Sequence, residues 1–219
     1  MEQKPKDYFR YGKPKGAEGR EALESMNKNH RRLSEWAVSL LPPIEPEKIL
    51  DIGCGGGTQL SMLGGQFPKA RLFGVDISED AVKYAYDVNR EKADAGMFTV
   101  KTAFAEDLPF SDNTFDLVSA FETYFFWTDL KKGISEAYRV LVPGGIFTVI
   151  SEQYPHPDFD GRNAEIAERT GLTLVDNDEL LTILKDAGFE ADYVTAEERN
   201  WVCFVAKKQT SPVSPGDAE

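Results

Sequence analysis

The chain is poor in the residues that build staples and metal clamps. It has two cysteines, Cys54 and Cys203, and two histidines, His30 and His156, in 219 residues. One cysteine sits in a glycine loop and the other in an apolar run, which speaks against a disulfide framework. No Cys-x-x-Cys occurs, and two histidines cannot build a His-rich centre, so no metal is expected. Basic residues are also scarce, with 25 Lys and Arg against 37 Asp and Glu and a net charge of −12. A sequence-independent nucleic-acid binder needs clustered Lys and Arg to displace counterions, so nucleic acid is not an expected partner. Docking on an anionic membrane is disfavoured for the same reason. No apolar run approaches the ~18 residues of a membrane span. The stretch MEQKPKDYFRYGKPKG lacks the apolar core of a signal peptide. These absences set the expectation of a cytoplasmic protein, monomer or homodimer, with no membrane partner.

What is present is a globular balance, 41% hydrophobic and 28% charged, in a length that usually folds around one core. Residues 1–43 read as an N-terminal segment that could form a lid, with a helix over 21–41 ended by Pro42-Pro43. Leu23, Met26, His30, Leu33, Ala37 and Leu40 recur there at three- and four-residue steps, and His30 reads as a packing residue. From Lys48 onward, strands and helices alternate. KILDIG, ARLFGVDI (70–77), MFTVKTA (97–103), FDLVSAF (115–121) and GIFTVISE (145–152) are apolar strands. The intervening helices are expected over 58–66, 78–95 and 130–141, the last stopped by Pro143-Gly144-Gly145. This alternation marks a parallel sheet covered on both faces. A helix over 178–187 then leads to FEADYVTA and WVCFVAKK. Only EERN joins those two, too little for a helical crossover, so they should pair antiparallel. The tail, 209–219, is expected to be disordered, and 44–208 to form the main domain.

The densest signal is ILDIGCGGG. A Walker A loop would need a Lys after its last glycine, and none follows. A dinucleotide fingerprint, G-x-G-x-x-G, finds Gly53 and Gly55 but places its third position at Thr58. An NAD(P)-dependent oxidoreductase is therefore weakened but stays open. The spacing that fits is D-x-G-x-G-x-G, at Asp51, Gly53, Gly55 and Gly57. An acid before the loop suits a ligand with an ammonium group better than a pyrophosphate. Asp76, at the end of the second strand, can accept both ribose hydroxyls of an adenosine. Ser78 looks like the N-cap of the helix that follows.

ILDIGCGGG, GVDIS, AEDLPFSDNTFDLV and EAYRVLVPGGIF, in this order, resemble the class I S-adenosylmethionine-dependent methyltransferases. The closest subgroup is that of ubiquinone and menaquinone biosynthesis. The resemblance implies a Rossmann-like, doubly wound α/β fold with a seven-stranded sheet of order 3-2-1-4-5-7-6, strand 7 antiparallel. It implies S-adenosylmethionine as cofactor. Gly53, Cys54 and Gly55 would lie under its methionine part, with Asp51 near the ammonium and the Phe121 carbonyl facing it. Asp76 would bind the ribose. Ile77, Ala105 and Glu106 would meet the adenine. Phe104 stands where many relatives carry a polar residue.

The acceptor should sit beyond the carboxyl ends of the strands. A small molecule is expected there, its reacting atom (O, N, S or C) left open. His156, in the loop after the fifth strand, is the leading general-base candidate. Glu122 and Glu152, at the ends of the fourth and fifth strands, are the others. Tyr8, Tyr11, Tyr124, Trp127 and Tyr154, with Phe125, Phe126 and Trp36, are candidates for an aromatic wall that excludes water. A non-catalytic adaptor on the same fold is the remaining alternative.

Overall fold

The computed structural model describes residues 5–210. Residues 1–4 and 211–219, with most of the tail expected to be disordered, lie outside the described residues. Seven strands form one sheet of order 3-2-1-4-5-7-6. Strands β1 (Lys48–Ile52), β2 (Arg71–Asp76), β3 (Phe98–Thr102), β4 (Phe115–Phe121) and β5 (Leu141–Ser151) run parallel. The pair β6 (Phe189–Ala196) and β7 (Trp201–Lys208) closes the sheet antiparallel on β5. The central strands are buried on both faces. Ile49, Leu50, Asp51 and Ile52 of β1 are all buried, as strands under two helical layers must be.

Three boundaries differ from the sequence reading. The helix expected over 21–41 is two helices, α1 (Gly16–Asn29) and α2 (Arg31–Ser39). The break is at His30, which sits at φ −84°, ψ 0°. Asn27 and Asn29 are weak helix formers beside it. The helix over 58–66 forms as expected, as α3 (Thr58–Gln66). The helix expected over 78–95 is α4 (Glu79–Val88) and α5 (Arg90–Asp94), broken at Asn89. The Asn89 amide donates to the carbonyls of Gly57 and Ala85, and its oxygen accepts from Ser61. The helix gives up one continuous run so that a buried amide can brace the glycine loop. Finally, β5 begins at Leu141, directly after α6 (Leu130–Val140), ahead of Gly145. Its register against β4 shifts between Phe115 and Leu117, so the Pro-Gly-Gly stretch is a bulge inside the strand.

Two helices complete the chain. Helix α8 (Asn177–Asp186) matches the one expected over 178–187 and leads to Gly188 at φ +100°. Helix α7 (Asp160–Thr170) has no counterpart in the sequence reading. Its sequence, DGRNAEIAERT, buries only Asn163 and Thr170, so it shows little apolar periodicity. Asp160 in its first turn, Arg169 in its last and Gly171 at φ +78° are the end signals that could have revealed it.

The N-terminal segment is tied down at two places. Ser78 Oγ donates to the Pro14 carbonyl, and the Gly16 N–H donates to Asp80 Oδ2 at 2.7 Å. At the other end, Asp7 pairs with Arg169 on α7 at 2.9 Å, and its N–H donates to the Arg169 carbonyl. Between them, a π-helical turn, Tyr8–Gly12, crosses above the carboxyl ends of the strands.

Candidate active site

A cavity of about 800 Å3 opens where the parallel strands end. The glycine loop forms its floor, and the N-terminal segment, α1 and the chain after α7 contribute to its walls. The volume lies high in the roughly 300–1,000 Å3 range that takes one drug-sized ligand, which leaves room for a second small molecule.

The loop is held by its own strands. The N–H groups of Gly53 and Cys54 both donate to the Val75 carbonyl, at 2.8 and 2.9 Å. The Gly57 N–H donates to the Cys54 carbonyl, and the Gly55 N–H to Asp76 Oδ2 at 2.9 Å. Four loop donors are thus consumed inside the protein. A pyrophosphate would find few left and would face two buried acids. Gly53, at φ +75°, admits no side chain, because a Cβ there would stand 2.0 Å from Thr123 Oγ1.

Asp51 is 1% exposed, and its Oδ1 accepts from Ser119 Oγ at 2.5 Å. Burial, with the charge of Asp76 behind it, pushes its pKa up to about 7. Asp76 is raised too, by burial, against the N–H bonds from Ser78 and Gly55 that favour its charge. A carboxylate has about four acceptor positions, so Asp76 keeps capacity for two hydroxyls. Cys54 is buried, and its thiol is pushed well up by burial and by the two acids, which leaves it unreactive. All nine residues assigned to the cofactor by resemblance line this one cavity. Glu106 does so with its carboxylate occupied, since its Oε1 accepts from the N–H groups of Thr128 and Asp129.

The acceptor candidates divide. Glu122, Glu152, Tyr8, Tyr11 and Trp127 line the cavity, whereas His156, Tyr124 and Tyr154 do not. His156 serves the entry to α7: its Nδ1 accepts from the Asp158 N–H, and its ring packs on Tyr154 and Phe159. Tyr124 is 2% exposed, within the main core. Tyr154 is held by Asn163 and Asn200, which both donate to its carbonyl. Trp36 packs on Trp201.

In place of His156, the cavity holds His30. The break between α1 and α2 sets its ring 5.8 Å from that of Phe121. Its Nε2 stands 3.5 Å from Glu152 Oε1. Burial opposes the charged imidazole, but Glu152 and Glu122 outweigh it and the pKa rises. Burial likewise opposes a charged Glu152, but His30 and then Arg162 hold its pKa down. Glu122 sits at φ +56°, a left-handed conformation rare outside glycine, with its Oε1 accepting from the Glu152 N–H. Burial, then the charge of Glu152, pushes its pKa up to about 8.

Residues 50–149 match the family described as a methyltransferase domain. Over that stretch the chain resembles a class I methyltransferase domain. S-adenosylmethionine is the cofactor that this domain implies. An O-methyltransferase, cnsE, of Penicillium expansum is 34% identical over 173 residues, 77% of this chain and 61% of that protein. A demethylmenaquinone methyltransferase of Bacteroides fragilis is 32% identical over 54% of this chain and 49% of its own length. The resemblance to quinone-biosynthesis enzymes therefore holds, although this chain spans only about half to three fifths of these two relatives. Among solved structures, a Haloferax volcanii methyltransferase in complex with the Trm112 methyltransferase activator superposes with a TM-score of 0.76. It is 20% identical and covers 95% of this chain and 100% of its own. No helix among the described residues is long and apolar enough to cross a membrane.

Sequence reasoning missed the far wall of this cavity. Leu23 and Asn27, Gln153, and residues 169–173 line it from three separate segments. No local motif marks them, and only the tertiary fold brings them together.

Proposed function

We propose that this protein transfers the methyl group of S-adenosylmethionine to a small-molecule acceptor held in the same cavity. The observation that carries this reading is the pair of buried acids, Asp51 and Asp76, beside a glycine loop whose N–H groups are already bonded. That environment suits a ligand with an ammonium and two ribose hydroxyls and rejects a pyrophosphate. Asp51 would face the ammonium, Asp76 the ribose, and Ile77 and Ala105 the adenine.

When bound, S-adenosylmethionine supplies an electrophilic methyl on a sulfonium. The protein must then align a nucleophile with the S–CH3 bond and keep water out. Positioning of this kind can contribute roughly 7–11 kcal/mol. An acceptor held there would form the new bond to carbon with its own electron pair, the C–S pair would stay on sulfur, and S-adenosylhomocysteine would be left. Tyr8, Tyr11 and Trp127 would close the cavity over this step. The described part of the segment 1–43, residues 5–43, would thereby act as a lid on the domain of 44–208, strapped to α4 and α7. His30, Glu122 and Glu152 stand at the acceptor's end, where a proton or a cation must be handled.

Titration calorimetry tests the reading. S-adenosylhomocysteine should bind one site per chain with micromolar affinity, and NADH should not bind. Tight NADH binding with no response to S-adenosylhomocysteine would sink it.

A further inference from the structure

We propose that His30, Glu122 and Glu152 form a divalent-cation site, of the manganese or zinc class, at the acceptor end of the cavity. Through it the protein would hold an acceptor that offers an oxygen ligand. This extends the methyltransferase reading of the cavity and rests on it.

The geometry comes first. One imidazole nitrogen of His30 and one carboxylate oxygen from each glutamate lie within 4.8 Å of one another. The His30–Glu152 separation, 3.5 Å, is long for an N–H···O hydrogen bond. It suits two atoms ligating one ion, since ligands ~2.1 Å from a metal at tetrahedral angles stand about 3.4 Å apart. Three unrelated segments supply the atoms: the α1–α2 break, the end of β4 and the end of β5. Composition excludes His-rich and cysteine sites in this chain, and a site of one His with two carboxylates is what it leaves.

Charge points the same way. Two carboxylates and a neutral imidazole balance a dication. Of the two cations that act on Glu152, His30 would give up its proton to the ion, and Arg162 is committed elsewhere. Its guanidinium donates to the Glu152 carbonyl and to the side-chain oxygens of Asn163 and Asn200. Glu122 is braced as ligating carboxylates are, by the Glu152 N–H.

An independent observation comes from Gln153. It is 5% exposed and lines the same cavity, yet its Oε1 is buried with no hydrogen-bond partner. A buried amide oxygen left unpaired is costly, about 1–3 kcal/mol. An ion-bound water, or the acceptor's own O–H, would satisfy it. One nitrogen with several oxygens favours manganese or zinc over calcium and magnesium, which prefer oxygen alone.

The test uses the 219-residue chain, EDTA-treated and saturated with S-adenosylhomocysteine. Manganese titrated in should bind one equivalent, and H30Q, E122Q and E152Q should each weaken it at least tenfold. The chain's two histidines make the spectroscopy decisive. Substoichiometric manganese should broaden the imidazole signals of His30 and spare those of His156. The proposal is overturned by the absence of one-equivalent binding, by equal broadening of both rings, or by unchanged affinity in the variants. If a variant fails to fold, the wild-type broadening alone decides. S-adenosylhomocysteine affinity in the same metal-free sample separates the two ideas. Cofactor binding without manganese binding overturns the cation site alone, and loss of both overturns the methyltransferase reading.

Discussion

The two ends of the cavity are built by different means. At the cofactor end, backbone does most of the work. Four N–H groups of the glycine loop bond to protein acceptors, and Gly53 is boxed in by Thr123. At the acceptor end, side chains from distant segments do the work, and they are only half-buried. His30 is 92 positions from Glu122 in the chain, and Glu122 is 30 from Glu152. The first end should therefore be intolerant and shared among relatives of different substrate. The second should be easy to change without unfolding the protein, which is where fold-level analogy ceases to name a substrate.

The largest expected effect is at Gly53. Gly53→Ala places a Cβ 2.0 Å from Thr123 Oγ1 in a left-handed conformation, and should cost about 3 kcal/mol or more. Thermal unfolding would show it, and a melting temperature within a degree of wild type would break the contrast. Next is Asp76→Asn. Loss of charge-assisted bonds to two ribose hydroxyls should cost roughly 2–3 kcal/mol, about a thirty- to hundred-and-fiftyfold loss of S-adenosylhomocysteine affinity by calorimetry.

Asp51 sharpens the comparison through pH. Its pKa in the fold, about 7, is raised above the ordinary 3.8. The folded protein therefore holds a proton that the unfolded chain has lost, and stability falls as pH rises from about 4 through 7. A ligand ammonium prefers the ionised carboxylate, so cofactor affinity should rise across the upper part of that window, by at most about tenfold per unit. Asp51→Asn should flatten both profiles, in melting curves and in calorimetry. The smallest effect belongs to His156→Gln. This side chain stands outside the cavity, so cofactor affinity should be unchanged and stability altered by less than about 0.5 kcal/mol.

The same division explains what could be read from the sequence. Every strand was legible, because buried strands are short apolar runs whatever they pack on. The strand order followed from the family resemblance, and the antiparallel pairing of β6 and β7 also from the four-residue link between them. The cofactor loop was legible because its chemistry is local: seven residues of chain, Asp51 to Gly57, carry it. The helix breaks at His30 and Asn89 were not, since each exists to serve a tertiary contact. His30 lay on an apolar stripe and read as packing, while His156 lay in a loop and read as chemistry. The fold exchanges their places. Helix α7 was invisible because a polar helix that buries Asn163 and Thr170 carries no apolar period.

The central claim is that the methyl group points to the end of the cavity where His30 and Phe121 meet. Isotope-edited NMR with S-adenosyl-[methyl-13C]methionine tests it most directly. Cross-relaxation should run from the labelled methyl to the rings of His30 and Phe121 and not to His156. A bound cofactor whose methyl shows contacts to neither ring would contradict it.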